Sequence, residues 1–205
     1  MTVTEFLTIF TTLFVIIDPI GLTPIFITLT PELNFRQRRK IALRSTIGAF
    51  FVLVTFAIFG EGVLLTLGID MPAFEISGGI LLFIIAIEML FQKRAERRKK
   101  TASDDLPDPS IFPLTTPLIA GPGAIAAVVL ISSESSGDLM KILSINLIIM
   151  LVIFLVFLFF LTGNALARVV GKTGIDVISR LLGMLLAALS VQFIINGLIN
   201  LGVIT

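Results

Sequence analysis

A single carboxylate lies in the middle of the first long apolar stretch of the sequence. Asp18 is followed at once by Pro19, and Gly21 and Pro24 come within the next six residues. An isolated charge at the centre of a membrane helix costs about 2.5–3.5 kcal/mol on insertion scales, so such a residue usually has a function. The prolines remove backbone donors and Gly21 weakens the helix, which predicts a break here. Asp18 would then cap a half-helix that begins at Pro19.

A second helix-breaking run, Gly121 to Gly123, follows Thr116 and Pro117 in the second half of the chain. Half-helix N-termini at such breaks suit a carboxylate, whereas unwound carbonyls suit an ammonium group or a cation. The surrounding residues are small, so only a small ligand would fit. The alternative is a pair of purely structural proline kinks. The predicted substrate-binding residues are Asp18, Pro19, Ile20, Gly21, Thr23, Thr116, Gly121, Pro122, Gly123 and Ala124.

The other polar residues of the apolar stretches have weaker claims to a function. Asp18 and Glu88 are the candidates for coupling to an ion, although the simpler interpretation of Glu88 is an ion pair with Lys93 at the cytoplasmic membrane surface. Gln192 and Asn196 are four residues apart, which places them on one stripe of a helix. That stripe either packs helices together or lines a pathway.

The composition excludes most other chemistry. Cysteine and histidine are absent, so disulfides and the usual nitrogen and sulfur ligands of transition metals are absent too. No phosphate-binding loop, nucleophile triad or hydrolase-like carboxylate pair is present. We therefore predict no enzyme activity, no metal site and no cofactor, apart from Na⁺ or H⁺ as a coupling ion.

Hydropathy predicts an integral membrane protein. Of the 205 residues 56% are hydrophobic and 14% are charged, and the mean hydropathy is +1.08. A span needs about 20 mostly apolar residues. Six stretches meet this requirement: 6–29, 41–67, 73–91, 111–133, 139–162 and 175–201. The polar segment between the third and the fourth is predicted to be a solvated linker.

The basic residues predict the orientation of these spans. Of the 15 Lys and Arg residues, 14 fall in alternate loops. Under the positive-inside rule those loops are cytoplasmic, so both termini lie outside. Net charge is +1 and gives no reason to expect nucleic acid as a partner.

The two halves of the chain resemble each other weakly. A shift of 98 residues aligns Pro19 with Pro117 and Pro24 with Pro122. A repeat of three spans must sit inverted in the membrane the second time, as in many secondary transporters. The fold class predicted is therefore an all-α membrane protein with six transmembrane helices in two inverted three-helix repeats, of which helices 1 and 4 are broken. The repeats would cover 1–91 and 111–205, with 92–110 as a cytoplasmic linker.

Two segments carry a resemblance to a known family. Residues 18–21 (Asp-Pro-Ile-Gly) and 117–125 (Pro-Leu-Ile-Ala-Gly-Pro-Gly-Ala-Ile) resemble the signature segments of the MarC family of bacterial inner-membrane proteins. The resemblance runs over essentially the whole chain. It implies a six-helix fold with inverted repeats, distantly similar to LysE-type exporters. It also implies transport of small neutral amino acids such as glycine and alanine, coupled to an ion gradient, with the two signature segments as substrate site.

The sequence thus predicts a secondary transporter in the bacterial inner membrane, with the lipid bilayer and small neutral amino acids as its partners. A membrane scaffold and a drug efflux protein are the alternatives. A scaffold would not be stabilised by glycine or alanine. Drug efflux would need a larger, more aromatic pocket than the small residues around the breaks suggest. The oligomeric state stays open.

Overall fold

The computed structural model describes residues 1–31, 33–101, 108–133 and 138–204, and throughout these ranges the regular structure is helical. The elements are α1 (Val3–Ile17), α2 (Pro19–Leu29), α3 (Phe35–Thr66), α4 (Met71–Leu90), α5 (Lys93–Thr101), a π-helical segment π1 (Ser110–Ile119), α6 (Pro122–Ser133) and α7 (Leu139–Asn200).

Five helical segments are long and apolar enough to cross a membrane: Val3–Leu29, Phe35–Thr66, Met71–Leu90, Leu139–Gly163 and Thr173–Asn200. A sixth span is formed if π1 and α6, which meet at a bend of 57°, are counted as one broken span. The prediction of an all-α multi-pass membrane protein is therefore confirmed. α7 consists of two arms, the spans Leu139–Gly163 and Thr173–Asn200, which meet through a kink at Gly171, where φ is 67°. The sequence predicts the connection between the last two spans at this place.

The two broken spans are the most enclosed parts of the molecule. Leu13, Ile16 and Leu22 of the first span are fully buried, and nearly every residue of α6 is buried. A helix that is apolar on all sides belongs in the interior. In contrast, α3 and the first arm of α7 expose large apolar side chains such as Phe59 and Leu147, as expected of a lipid-facing surface.

Close packing of α4 against α7 depends on glycine. A Cβ atom on Gly79 would lie 2.8 Å from the Ser190 carbonyl oxygen and 2.7 Å from Cγ1 of Ile194. Small residues of this kind let membrane helices approach each other closely. Gly79 is therefore a contact point that α4 and α7 need for their observed spacing.

We expect Gly79→Ala to lower the free energy of unfolding by about 1–3 kcal/mol, because the backbone of α7 must move away. The matched control is Gly62→Ala on α3, since a Cβ there meets no atom within 4 Å. Thermal melting in detergent should show a lower Tm for the first variant alone. Equal melting temperatures would mean that α4 and α7 can move apart without a loss of stability.

Candidate functional site

Asp18 forms the break in the first span. Its backbone is left-handed, with φ 57° and ψ 66°, and it ends α1 and begins α2. The Asp18 Oδ1 atom accepts a hydrogen bond of 2.9 Å from the Gly21 N–H. A Cβ on Gly21 would overlap the Asp18 Oδ2 atom, so this cap requires glycine there. The predicted break and the predicted cap of a half-helix starting at Pro19 are both confirmed.

Two arginines of α5 contact this break. The Arg98 Nη1 atom lies 3.2 Å from Asp18 Oδ2, and Arg98 Nη2 donates to the Ile17 carbonyl at 3.2 Å. Arg94 Nη2 donates to the Ile16 carbonyl at 2.6 Å. The exposed fractions of Arg94, Arg98 and Asp18 are only 8%, 6% and 3%. Cations at these carbonyls also complement the negative end of the α1 dipole.

This arrangement corrects part of the prediction of a solvated linker, of which residues 102–107 lie outside the described residues. The start of the linker is a helix in which Arg94 and Arg98 are buried, whereas Lys93 and Arg97 are exposed. The only signal in the sequence was the spacing of Arg94 and Arg98, which puts both side chains on one helical face. A basic face of this kind is usually solvated, so the signal does not by itself indicate where the helix binds.

Arg94 differs from its neighbours in having no carboxylate partner among the described residues. Arg98 pairs with Asp18, and Arg97 Nη1 lies 2.8 Å from Glu88 Oε1. The second contact of Arg94 is with the sulfur of Met89, at 2.9 Å. Desolvation, with the like charge of Arg98 as the next cause, lowers the pKa of Arg94 to about 9. The guanidinium is therefore still charged at neutral pH.

The predicted ion-coupling residue Glu88 lies beside this cluster. Its Oε1 atom binds Arg97, while Oε2 is buried without a hydrogen-bond partner among the described residues. The basic partner predicted for Glu88 was Lys93, whereas the structure pairs Glu88 with Arg97, one helical turn further along α5.

The second broken span is less regular than the first. The backbone of π1 departs from helical values at Phe112 and Thr116, and α6 begins anew at Pro122. A Cβ on Gly121 would lie 2.5 Å from the Pro117 carbonyl oxygen. Thr116, predicted to bind substrate, is half-buried. The buried hydroxyl is that of Thr115, which donates to the Ser45 and Ser110 carbonyls.

A cavity of about 80 Å³ connects this second break to α5. The small residues of the break, predicted from the sequence, line it together with arginines of α5. The first turn of α6 is part of the lining, and the first N–H groups of a helix have no partner inside it. The residues that matter chemically are Gly121, Pro122, Gly123 and Ala124 together with Arg94, Arg97 and Arg98.

The remaining predicted residues lie elsewhere. The Thr23 hydroxyl donates to the Pro19 carbonyl within its own helix. Gln192 and Asn196 are joined by a hydrogen bond of 2.8 Å, and they line a separate cavity of about 180 Å³ with Thr8 and Thr12. Thr12 precedes Asp18 by six residues, or about 9 Å along a helix. Thr8 and Thr12 are not among the lining residues predicted from the sequence.

Comparison with known proteins identifies the family and agrees with the membrane-spanning helices of the structure. The model of a family described as "MarC family integral membrane protein" matches residues 3–201. The chain belongs to the MarC family. A "UPF0056 membrane protein" of Archaeoglobus fulgidus is 38% identical, with 92% of this chain and 90% of the relative covered. Similar proteins of Methanocaldococcus jannaschii and Aquifex aeolicus are each 35% identical, with 94% and 96% of this chain and 95% and 93% of the relatives covered.

These relatives are named as membrane proteins and not as enzymes. No solved structure matches the chain. Membership of the MarC family therefore establishes a multi-pass membrane protein, and the chemistry of the site has to indicate its function.

Proposed function

We propose that this MarC family protein is a secondary transporter of small neutral amino acids of the glycine and alanine class, coupled to a gradient of Na⁺ or H⁺. The observation that carries the proposal is the contact between the two broken spans. At one break the buried carboxylate of Asp18 and the carbonyls of Ile16 and Ile17 bind arginines of α5. The same arginines line a cationic cavity at the other break. These are complementary partners for the ammonium and carboxylate ends of a zwitterion.

The size of the cavity supports a small substrate. Its volume of about 80 Å³ is well below the range of about 300–1,000 Å³ that is typical of sites for drug-sized ligands. Gly123 and Ala124 add little bulk to a lining that also includes Ile16, Ile85, Leu118 and Ile119. This argues for an amino acid with a short side chain and against drug efflux.

Asp18 is the proposed partner of the substrate ammonium group or of the coupling ion. In the structure Arg98 occupies that position, so the binding of a cation at Asp18 requires α5 to move. Glu88 is the second candidate for ion coupling, because one of its carboxylate oxygens is buried and has no hydrogen-bond partner in the part of the chain that the structure describes. Gln192 and Asn196 are the proposed lining of a pathway on the other side of the break.

For the architecture we propose two inverted three-helix repeats, with α5 on the cytoplasmic side of a bacterial inner membrane and both termini outside. Each half of the chain contains one broken and two continuous spans, which supports a repeat. The local geometry of the two breaks differs, since φ is 57° at Asp18 and −129° at its counterpart Thr116. The bias of 14 basic residues to alternate loops supports the orientation.

We expect glycine and alanine to raise the Tm of the detergent-purified protein, because a ligand that binds only the folded state stabilises it by mass action. Melting curves recorded in parallel in Na⁺ and in K⁺ buffers show whether Na⁺ is the coupling ion. In proteoliposomes, Asp18→Asn and Gly123→Val should each abolish transport, whereas Gly62→Val on the exposed face of α3 should not. Transport that survives both site variants would refute the proposed site, and an amino acid panel without effect on Tm would favour a scaffold.

A further inference from the structure

Arg94 is a buried cation that no carboxylate neutralises within the described residues. Burial of a charge is costly unless the charge is paired and hydrogen-bonded. The contacts of Arg94 are one carbonyl, that of Ile16, and one thioether, that of Met89. The guanidinium group has five N–H donors, so these two contacts leave donors free in a group that lines a cavity.

The cavity presents other anion-binding groups to the same space. The first turn of α6 contributes the positive end of a twelve-residue helix. Its first residue, Pro122, has no N–H, and the Ile125 N–H donates to the Gly121 carbonyl, so the donors without a partner inside the helix are the N–H groups of Gly123 and Ala124. Arg97 and Arg98 add positive potential, although each already pairs with a carboxylate. A small anion in the cavity could thus receive hydrogen bonds from Arg94 and from α6.

We infer that Arg94 and the first turn of α6 bind the carboxylate group of the transported ligand, so that the linker helix α5 is part of the binding site. The inference rests on the proposed function and names a specificity residue outside both signature segments. A planar guanidinium group matches a carboxylate in charge and shape and binds it with charge-assisted hydrogen bonds. The size of the cavity suits the α-carboxylate of an amino acid with a short side chain.

The test uses ligands that separate the two ends of the substrate. Melting curves are recorded at constant ionic strength with glycine, acetate, ethanolamine and inorganic phosphate. Inorganic phosphate represents the alternative ligand, a free or lipid-borne phosphate group. We expect stabilisation by glycine and, more weakly, by acetate, and none by ethanolamine. A larger shift with phosphate than with acetate would overturn the assignment to a carboxylate.

Substitutions of Arg94 test its role in binding the carboxylate. Arg94→Gln should weaken the apparent affinity for glycine and acetate by about tenfold or more, because a hydrogen bond to a charged group is lost. Its Tm without ligand should not fall, since an uncompensated buried charge is removed. Arg94→Lys should retain part of the affinity. The control is Arg39→Gln, at an exposed arginine of α3, which should behave as wild type.

The outcomes distinguish this inference from the proposed function. If glycine is bound and transported with unchanged affinity in Arg94→Gln, the inference is wrong and the transporter proposal stands. If acetate binds in an Arg94-dependent manner but glycine is neither bound nor transported, the carboxylate site stands and the amino acid transporter does not. If Arg94→Gln fails to fold, Arg94→Lys decides, because unchanged acetate affinity there would exclude the specific role of the guanidinium.

Discussion

Replacement of Asp18 by Ala is expected to lower the free energy of unfolding by about 3–5 kcal/mol, because it leaves the buried guanidinium group of Arg98 without its carboxylate. The cap on the Gly21 N–H is lost as well. Chemical unfolding in detergent would measure the change. Asp18→Asn should keep the cap, since an amide oxygen still accepts a hydrogen bond from the Gly21 N–H. It nevertheless leaves the charge of Arg98 unpaired, as Asp18→Ala does.

A double-mutant cycle separates these contributions. The Asp18→Ala/Arg98→Met variant has neither charge, so most of the lost stability should return, in spite of the missing cap. Arg98→Met alone should be less harmful than Asp18→Ala alone, because Asp18 keeps its bond to Gly21. If the effects of the two single changes simply add, the pair contributes nothing and α5 is not held at the break by this contact.

A second large loss of stability is expected at the break between π1 and α6. Gly121→Ala should lower the free energy of unfolding by about 1–3 kcal/mol and remove the stabilisation by glycine. The reason is that the new Cβ would lie 2.5 Å from the Pro117 carbonyl oxygen. A backbone atom cannot rotate away as a side chain can, so π1 and α6 must shift relative to each other, and the cavity wall shifts with them.

Gly123→Ala is the matched comparison within the same segment. A Cβ on Gly123 would first meet Cδ1 of Ile85, at 2.5 Å, and the end of a flexible side chain can move. We therefore expect a smaller loss of stability than in Gly121→Ala. Melting curves of both variants with and without glycine provide the measurement. If Gly121→Ala retains wild-type stability and the full glycine shift, the geometry of the break does not define the site.

The sequence by itself determined the membrane class, the spans and the positions of both breaks. Apolar length and the placement of proline and glycine act locally, so they specify where helices run and where they stop. Asp18 before Pro19 indicated a half-helix cap for the same reason, and the structure has that cap. The small residues at Gly121 to Ala124 likewise predicted a wall with little bulk, and they line the cavity.

The tertiary structure alone decided what faces these breaks. The sequence predicted a solvated linker because its residues are polar and basic, and nothing local shows where such a segment packs. Only the fold brings Arg94 and Arg98 to Ile16, Ile17 and Asp18, some 80 residues away in the chain. The physical reason is that a helix C-terminus and a buried carboxylate inside an apolar bundle need donors, and α5 is the basic element near enough to provide them.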